Sequence, residues 1–359
     1  MLSSFFQTAA WKRFRKNKGA VFGIVIIIIA AFVSFFAYFI SPDSSPYANR
    51  IILETGSKKP GYTQTFLQVK KDTVIETGFF RRLLYGKEDI YYYIPIEKYE
   101  QRNDSFIVQK LIDEGLSETQ AYSISQLAAK PITKKTFLAG TDKFGRDILS
   151  RLLIGTRVSL SVGVITVIIS LSIGLVLGSL AGYYRGKTDT IIMWFINVIW
   201  SIPTILLVFA ITLALGKGFW QVFIAIGLTM WVNVARLVRG QVLAAREMEY
   251  VEAARALGLS QLRIIVKHIW PNIMGPIAVI AASNFASAII IEAGLSFLGI
   301  GVQAPQPSWG LMIKENYNFI ITQNPMPALI PGVAIMLLVL AFNLVGNGLR
   351  DALHVKGKL

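Results

Sequence analysis

The sequence predicts an all-α polytopic membrane protein with six transmembrane helices and a small α+β module inserted after the first. Three observations carry this. The 359-residue chain is 53% apolar and only 16% charged, with a mean hydropathy of +0.53, whereas about a quarter of a water-soluble domain is charged. Six stretches are long and apolar enough to cross a hydrocarbon core ~30 Å thick, which takes about 20 helical residues each. Between the first and second of them, residues 41–157 carry 18 basic and 14 acidic side chains, a soluble composition unlike its surroundings. The excess of 36 Lys and Arg over 21 Asp and Glu, +15 in all, points to nucleic acid in a soluble protein, but in an apolar chain it reports membrane topology. With no Cys and two distant histidines, His268 and His354, disulfides, thiolate chemistry and a Cys nucleophile are excluded, and little is left for zinc or haem.

The first span, 21–40, follows Lys12, Arg13, Arg15, Lys16 and Lys18. Its apolar run is too long for a signal peptide and no small-x-small cleavage site follows, so it reads as an uncleaved anchor. Ahead of it, Phe5, Phe6, Ala9 and Phe14 alternate with basic residues at helical spacing, as in a helix lying in the interface; a positively charged stop for insertion accounts for them equally. In the insert, residues 90–96 (IYYYIPI) are β-prone. Asp104 or Ser105 is suited to cap a helix running to Glu114, with Gly115 at its C′ position, and Ser117 with Gln120 makes a capping box for a second helix ending near Lys130-Pro131.

The remaining spans are expected at 158–182, 190–215, 219–235, 273–293 and 328–346. In the second, Gly174, Gly178 and Gly182 recur every four residues, a stripe that lets another helix approach closely. With the N-terminus cytoplasmic, sixteen Lys and Arg fall in cytoplasmic segments. The two short outer connections hold one each, Lys217 and Lys314, which places both termini in the cytoplasm.

Several chemistries are set aside. Gly186-Lys187-Thr188 has the ending of a phosphate-binding loop, but position 181 is Ala where that loop needs Gly, and a membrane helix precedes it. No HExxH, GxSxG or paired-carboxylate site sits near a plausible pocket, and the spans are nearly free of ionisable groups, whereas ion-coupled transporters rely on these or on helices unwound at mid-membrane.

Residues 236–272, RLVRGQVLAAREMEYVEAARALGLSQLRIIVKHIWPN, read as two short helices hinged at Gly258, with Ser260 capping the second and Pro271 resetting the backbone before the fifth span. Small alanines suit a helix that settles into a groove on another protein, and the glycine permits a sharp turn. At Glu252, Ala253, Ala254, Gly258 and Pro271 this segment resembles the EAA loop of ABC importer permeases. Gly140-Thr141-Asp142-Lys143-Phe144-Gly145-Arg146-Asp147, continuing through Ser150-Arg151, Gly155, Arg157 and Ser159-Leu160, resembles the entry to the second span in dipeptide, oligopeptide and nickel permeases. Glu292-Ala293-Gly294-Leu295-Ser296-Phe297-Leu298-Gly299 and Gln303-Ala304-Pro305-Gln306-Pro307-Ser308-Trp309-Gly310 are similar to their outer loop before the last span. With Trp11-Lys12-Arg13-Phe14-Arg15-Lys16-Asn17-Lys18, these point to the C-type inner-membrane permease subunit of that group. The resemblance covers residues 1–40 and 140–359. The long insert departs from it, as does Trp270, where the family often has Leu.

The resemblance implies a domain plan of 1–40 (interfacial segment and first span), 41–139 (extracytoplasmic insert) and 140–359 (permease domain, with the EAA loop at 236–272). It implies a multi-pass protein of the bacterial cytoplasmic membrane, surrounded by lipid, that pairs as a heterodimer with a second homologous permease subunit. Two cytoplasmic ABC ATPase subunits, which hold the ATP and Mg, and an extracytoplasmic substrate-binding protein complete the importer. This chain then has no cofactor, no metal, no catalytic residue and no nucleic-acid partner. Coupling to the ATPases falls on Glu252, Ala253, Ala254, Gly258, His268 and Pro271. Physically, Glu292 is the one carboxylate at the end of a span that can face a translocation path, with a helix-end hydrogen bond or salt bridge as its alternative role. Asn197, Ser201, Asn233, Ser283, Asn284 and Asn343 either line a polar route or join helices. Peptide is the expected cargo, nickel or another small solute the alternative. A receptor or assembly protein with an outer ligand-binding module is the reading from a different class.

Overall fold

The apolar runs are helical in the computed structural model, which describes residues 9–72, 77–102, 104–113, 115–320 and 324–353. In chain order, α1 (Ala9–Lys16) and α2 (Lys18–Ile40) are followed by β1 (Tyr62–Lys70), α3 (Phe79–Tyr85), β2 (Tyr91–Arg102), β3 (Ser105–Asp113), β4 (Leu116–Ser123) and β5 (Leu127–Phe137). Then come α4 (Ile148–Tyr184), α5 (Gly186–Trp200), α6 (Thr204–Leu215), α7 (Phe219–Arg246), α8 (Glu249–Ala256), α9 (Gln261–Ile264), α10 (Trp270–Phe297), α11 (Trp309–Asn316) and α12 (Met326–Leu353). Among the described residues, five helical runs are long and apolar enough to cross a membrane: α2, α4, α7, the continuous 37-residue run from α9 through α10, and α12. The expected span at 190–215 is instead the pair α5 and α6, bent by 91°. Pro203 lacks the N–H that a continuous helix needs and disfavours helical backbone at Ile202, so the chain breaks there. Packing divides the chain into two compact units, one of Met1–Ala30, Ser159–Val302 and Ile335–Leu359, the other of Ala31–Val158 and Gln303–Ala334.

The first unit is helical. Phe5 and Phe6 lie outside the described residues, while Phe14 is buried with Ala20 and Ala352. The glycine stripe of α4 lies against α7. A β-carbon built at Gly174 would stand 2.5 Å from Val234 Cβ, one at Gly178 2.5 Å from the Ala235 carbonyl oxygen, and one at Gly182 2.7 Å from that of Arg239. The two backbones are therefore as close as residues without side chains allow. The expected end of the fourth span at Ala235 is corrected: α7 continues to Arg246 because Val238, Val242 and Ala245 keep an apolar face buried along the same helix.

The second unit holds a five-stranded antiparallel sheet, ordered β4-β3-β2-β1-β5. The two helices expected at 105–114 and 117–130 are not formed: the described residues there are β3, β4 and the start of β5, with a single 3-10 turn at Ile124–Gln126 between the last two; Glu114 lies outside the described residues. Phe106 and Val108 alternate with less buried neighbours along β3, and Val108 pairs with Gln120 of β4, the residue expected to close a capping box. Period-two burial and pairing with β2 outweigh local capping signals here. Gly115 does adopt the left-handed conformation expected of it, φ +78°, but it does so between two strands.

Behind the sheet, Pro42, Asp43, Arg50, Ile52, Tyr93, Lys135, Phe137 and Asp147 line a cavity of about 190 Å³. Arg50 pairs with Asp43 at 3.3 Å, donates through Nε to Asp89 at 2.6 Å, and stacks on Tyr93. The Lys135 ammonium also lies over the Tyr93 ring, 4.1 Å from its centre. Burial first, and then the charge of Arg50, pull the Lys135 pKa down from 10.5 to about 8. The unfolded chain thus holds this proton to higher pH than the folded one, and stability rises with pH between about 8 and 10.5. Lys135→Met is expected to raise the unfolding midpoint of the detergent-solubilised protein at pH 7 and to flatten its rise over that window. An unchanged slope would assign the rise to another group.

Candidate functional site

The region expected to meet an ATPase is built on α8. Met248 enters it in extended conformation, and Glu249 and Glu252 place carboxylates in its first turn, where the helix dipole favours them. Its inner face, Val251 and Ala254, is buried with Ile264, Ile265, Ile269, Val242, Ala245 and Tyr183. Its outer face presents Glu252, Ala253 and Ala256. Leu257 and Leu262, 80% and 70% exposed, flank that face. Exposed leucines beside exposed alanines form an apolar surface that no described residue of this chain covers.

The end of α8 is held by backbone geometry. Gly258, with φ +75°, donates its N–H to the Arg255 carbonyl at 2.9 Å, and Leu259 donates to Ala254 at 3.2 Å. This is a Schellman closure, in which an L-residue at the glycine position costs roughly 1–2 kcal/mol. Ala254, expected among the coupling residues, points into the core. Two local expectations are corrected. Ser260 precedes α9 in extended conformation, but its side chain makes no cap hydrogen bond. Pro271 does not interrupt the chain: it is the second residue of α10, and the turn Ile265–Ile269 before it widens to π geometry. A proline there removes the N–H that would bond the Lys267 carbonyl, and a widened turn accommodates the loss. The next carbonyl, of half-buried His268, accepts from Asn272 Nδ2 at 2.7 Å. Trp270 packs on the same core and donates through Nε1 to Ser179 Oγ at 2.9 Å, so the larger side chain has a place and a partner. Arg185 and Glu247 pair at 2.5 Å, and Arg246 donates to the Tyr183 carbonyl, fixing α7 against the end of α4.

The residues expected along a pathway do not share one surface. Asn197, Ser201 and Asn233 are exposed near the break between α5 and α6. There, a groove of about 330 Å³ is lined by Ile199, Trp200, Thr204, Thr229, Asn233, Ser287 and their apolar neighbours. Asn197 Oδ1 accepts from Arg236 at 2.8 Å, whereas Ser201 Oγ donates to the Val198 carbonyl. Of the expected residues Asn233 lines this groove, whereas Asn197, Ser201, Ser283 and Asn343 are exposed and do not. Asn284 is buried, with Nδ2 3.4 Å from Ser170 Oγ. Glu292 is fully buried and accepts from Ser296 Oγ at 2.7 Å, and that hydroxyl accepts in turn from the Val302 amide. These bonds tie Glu292 to the end of α10 and the turn after it. Sequence reasoning missed Arg236, Trp200 and Ser287. Arg236 directly follows an apolar run and reads as loop; the continuing spacing of Val238, Val242 and Ala245 is the signal that keeps it on the helix.

The Gly140–Asp147 motif is a structural knot of the second unit. Asp142 accepts from the amides of Phe144 and Arg146 and pairs with Arg146 Nε at 2.6 Å, and Arg146 and Arg151 converge on Glu315. Asp147 caps the start of α4 through the Ser150 amide at 3.0 Å. Trp309 donates to the Leu152 carbonyl, and a β-carbon at Gly155 would meet its ring at 2.9 Å.

Residues 174–356 match the family described as binding-protein-dependent transport system inner membrane component, and residues 4–58 match the N-terminal TM domain of oligopeptide transport permease C. The chain is similar to the glutathione transport system permease protein GsiD of Pectobacterium atrosepticum, 43% identical over 61% of this chain and 72% of that protein. It is similar to the oligopeptide transport system permease protein OppC of Bacillus subtilis, 41% identical over 66% and 77%. It also resembles the dipeptide transport system permease protein DppC of Alkalihalophilus pseudofirmus, 45% identical over 61% and 72%.

Proposed function

The chain belongs to the family of binding-protein-dependent transport system inner membrane components, and from that premise we propose that it is the C-type permease subunit of an ATP-driven peptide importer. The chain itself is non-catalytic. It crosses the membrane six times, α5 and α6 together making one crossing, with both termini in the cytoplasm and residues 41–139 outside. A second, homologous permease subunit supplies the other half of the path, two ATPases dock from the cytoplasm, and a binding protein delivers substrate from outside. Peptide is favoured over nickel because the relatives are named for dipeptide, oligopeptide and glutathione transport.

The observation that carries this reading is the divided surface of α8. One face is locked into the permease core through Val251 and Ala254, and the other offers Glu252, Ala253, Ala256 and Leu257. A helix so anchored transmits a push on its exposed face to α4, α7 and α10, which share its core. Coupling then requires that the ATPase states favour different arrangements of those helices. Uptake of a labelled peptide by sealed vesicles holding the complete transporter is expected to require ATP; uptake undiminished without ATP would overturn the proposal.

A further inference from the structure

The guanidinium of Arg236 stands at the end of the 17-residue apolar run of α7, where a charge is costly unless compensated. It lies 3.6 Å from the centre of the Trp200 ring, and its Nη2 donates to Asn197 Oδ1 at 2.8 Å. Its Nε is buried without a hydrogen-bond partner. Among the described residues no carboxylate is within ion-pair distance of it. One turn further along α7, Arg239 has a full counter-charge, two 2.6 Å hydrogen bonds to Asp189. Arg236 is held in place by an amide and an indole, neither of which neutralises it. The indole it covers lines the groove that also presents Thr229, Asn233 and Ser287.

We propose that Arg236 is a contact for the free carboxylate of a peptide passing along this groove; the inference rests on the peptide-importer reading above. Stacking on Trp200 fixes the plane of the guanidinium, and the bond to Asn197 fixes its rotation. The Nη1 protons and the second Nη2 proton remain to receive a planar carboxylate, for which this fork is better suited than an ammonium, which attracts it only as a point charge. Thr229 Oγ1 already donates to the Ala225 carbonyl at 2.9 Å, so it can only accept; the Asn233 amide and the Ser287 hydroxyl meet peptide groups without demanding a particular side chain.

The test compares a peptide with its C-terminal amide in proteoliposomes of the complete transporter, with one binding protein throughout. The acid-to-amide uptake ratio of each variant is divided by that of the wild type, so that any preference of the binding protein cancels. Arg236→Gln is expected to lower this ratio by roughly tenfold, the loss expected for one charge-assisted hydrogen bond, and Arg236→Lys to retain part of it. An unchanged ratio in Arg236→Gln would overturn the proposal. So would loss of both substrates in both variants, which would make Arg236 a helix-joining or subunit-pairing residue. Wild-type transporter that carries neither peptide would instead contradict the peptide-importer reading.

Discussion

Gly178→Leu is expected to leave almost no folded protein in the membrane extract. A β-carbon at this position falls 2.5 Å from the carbonyl oxygen of Ala235 and 2.8 Å from Val238 Cβ. The first of these is backbone in the middle of a 28-residue helix and cannot swing aside. Gly174 and Gly182 make the same approach one turn either way, so α4 cannot pivot about one contact to make room. Overpacking in a core costs about 1–3 kcal/mol where side chains yield; here helix backbones must separate, and the dispersion contacts along the whole stripe are lost with them. Even Gly178→Ala is expected to lower the unfolding midpoint. Gly240→Leu, at a helical glycine with nothing within 4 Å of its β-carbon position, is expected to be near neutral. Size-exclusion chromatography of detergent extracts with a thermal ramp checks all three. Wild-type amounts of monodisperse Gly178→Leu protein with an unchanged midpoint would contradict the packing described.

The second large effect separates two adjacent alanines. Ala253→Arg is expected to leave the permease inserted and stable while reducing ATPase capture and uptake at least tenfold, because Ala253 is exposed and a long cation keeps α8 out of a fitted groove. Ala254→Arg is expected to lower the amount of folded protein, because Ala254 is 4% exposed among Val251, Ile264 and Ile265, and an unpaired charge there is strongly destabilising. Leu257→Asp should follow Ala253→Arg, since a docked leucine contributes about 1.5–3 kcal/mol and a buried aspartate opposes docking. The membrane level of the chain, ATPase bound per chain, and uptake are the three readouts. Equal behaviour of the two alanine variants would contradict the divided face of α8.

How far these surfaces were legible in the sequence depended on the range of the interaction. Gly174, Gly178 and Gly182 announced a close helix pair because small residues four apart have few other uses in an apolar span. Gly258 announced a turn because its backbone conformation is a local property, and it has the positive φ. Ser105 to Gln120 read as helices because capping signals are local too, whereas the pairing of β3 with β2 and β4 is not. Arg236 was hidden for a related reason: a charge after an apolar run looks like the end of a span until the burial of Val238 and Val242 is seen. Which of two neighbouring alanines faces outward likewise depended on the core formed by Ile264, Ile265 and Ile269, residues that follow a turn of unknown angle in the sequence alone.

The central claim is that the exposed face of α8 is where an ATPase docks. The measurement that tests it most directly is the number of P-loop ATPase subunits copurifying with the intact chain in mild detergent, for the wild type and for Ala253→Arg. The account predicts a fixed stoichiometric ratio in the wild type and its loss in the variant at an unchanged amount of folded permease. ATPase retained equally by both, or no ATPase with the wild type, would contradict it.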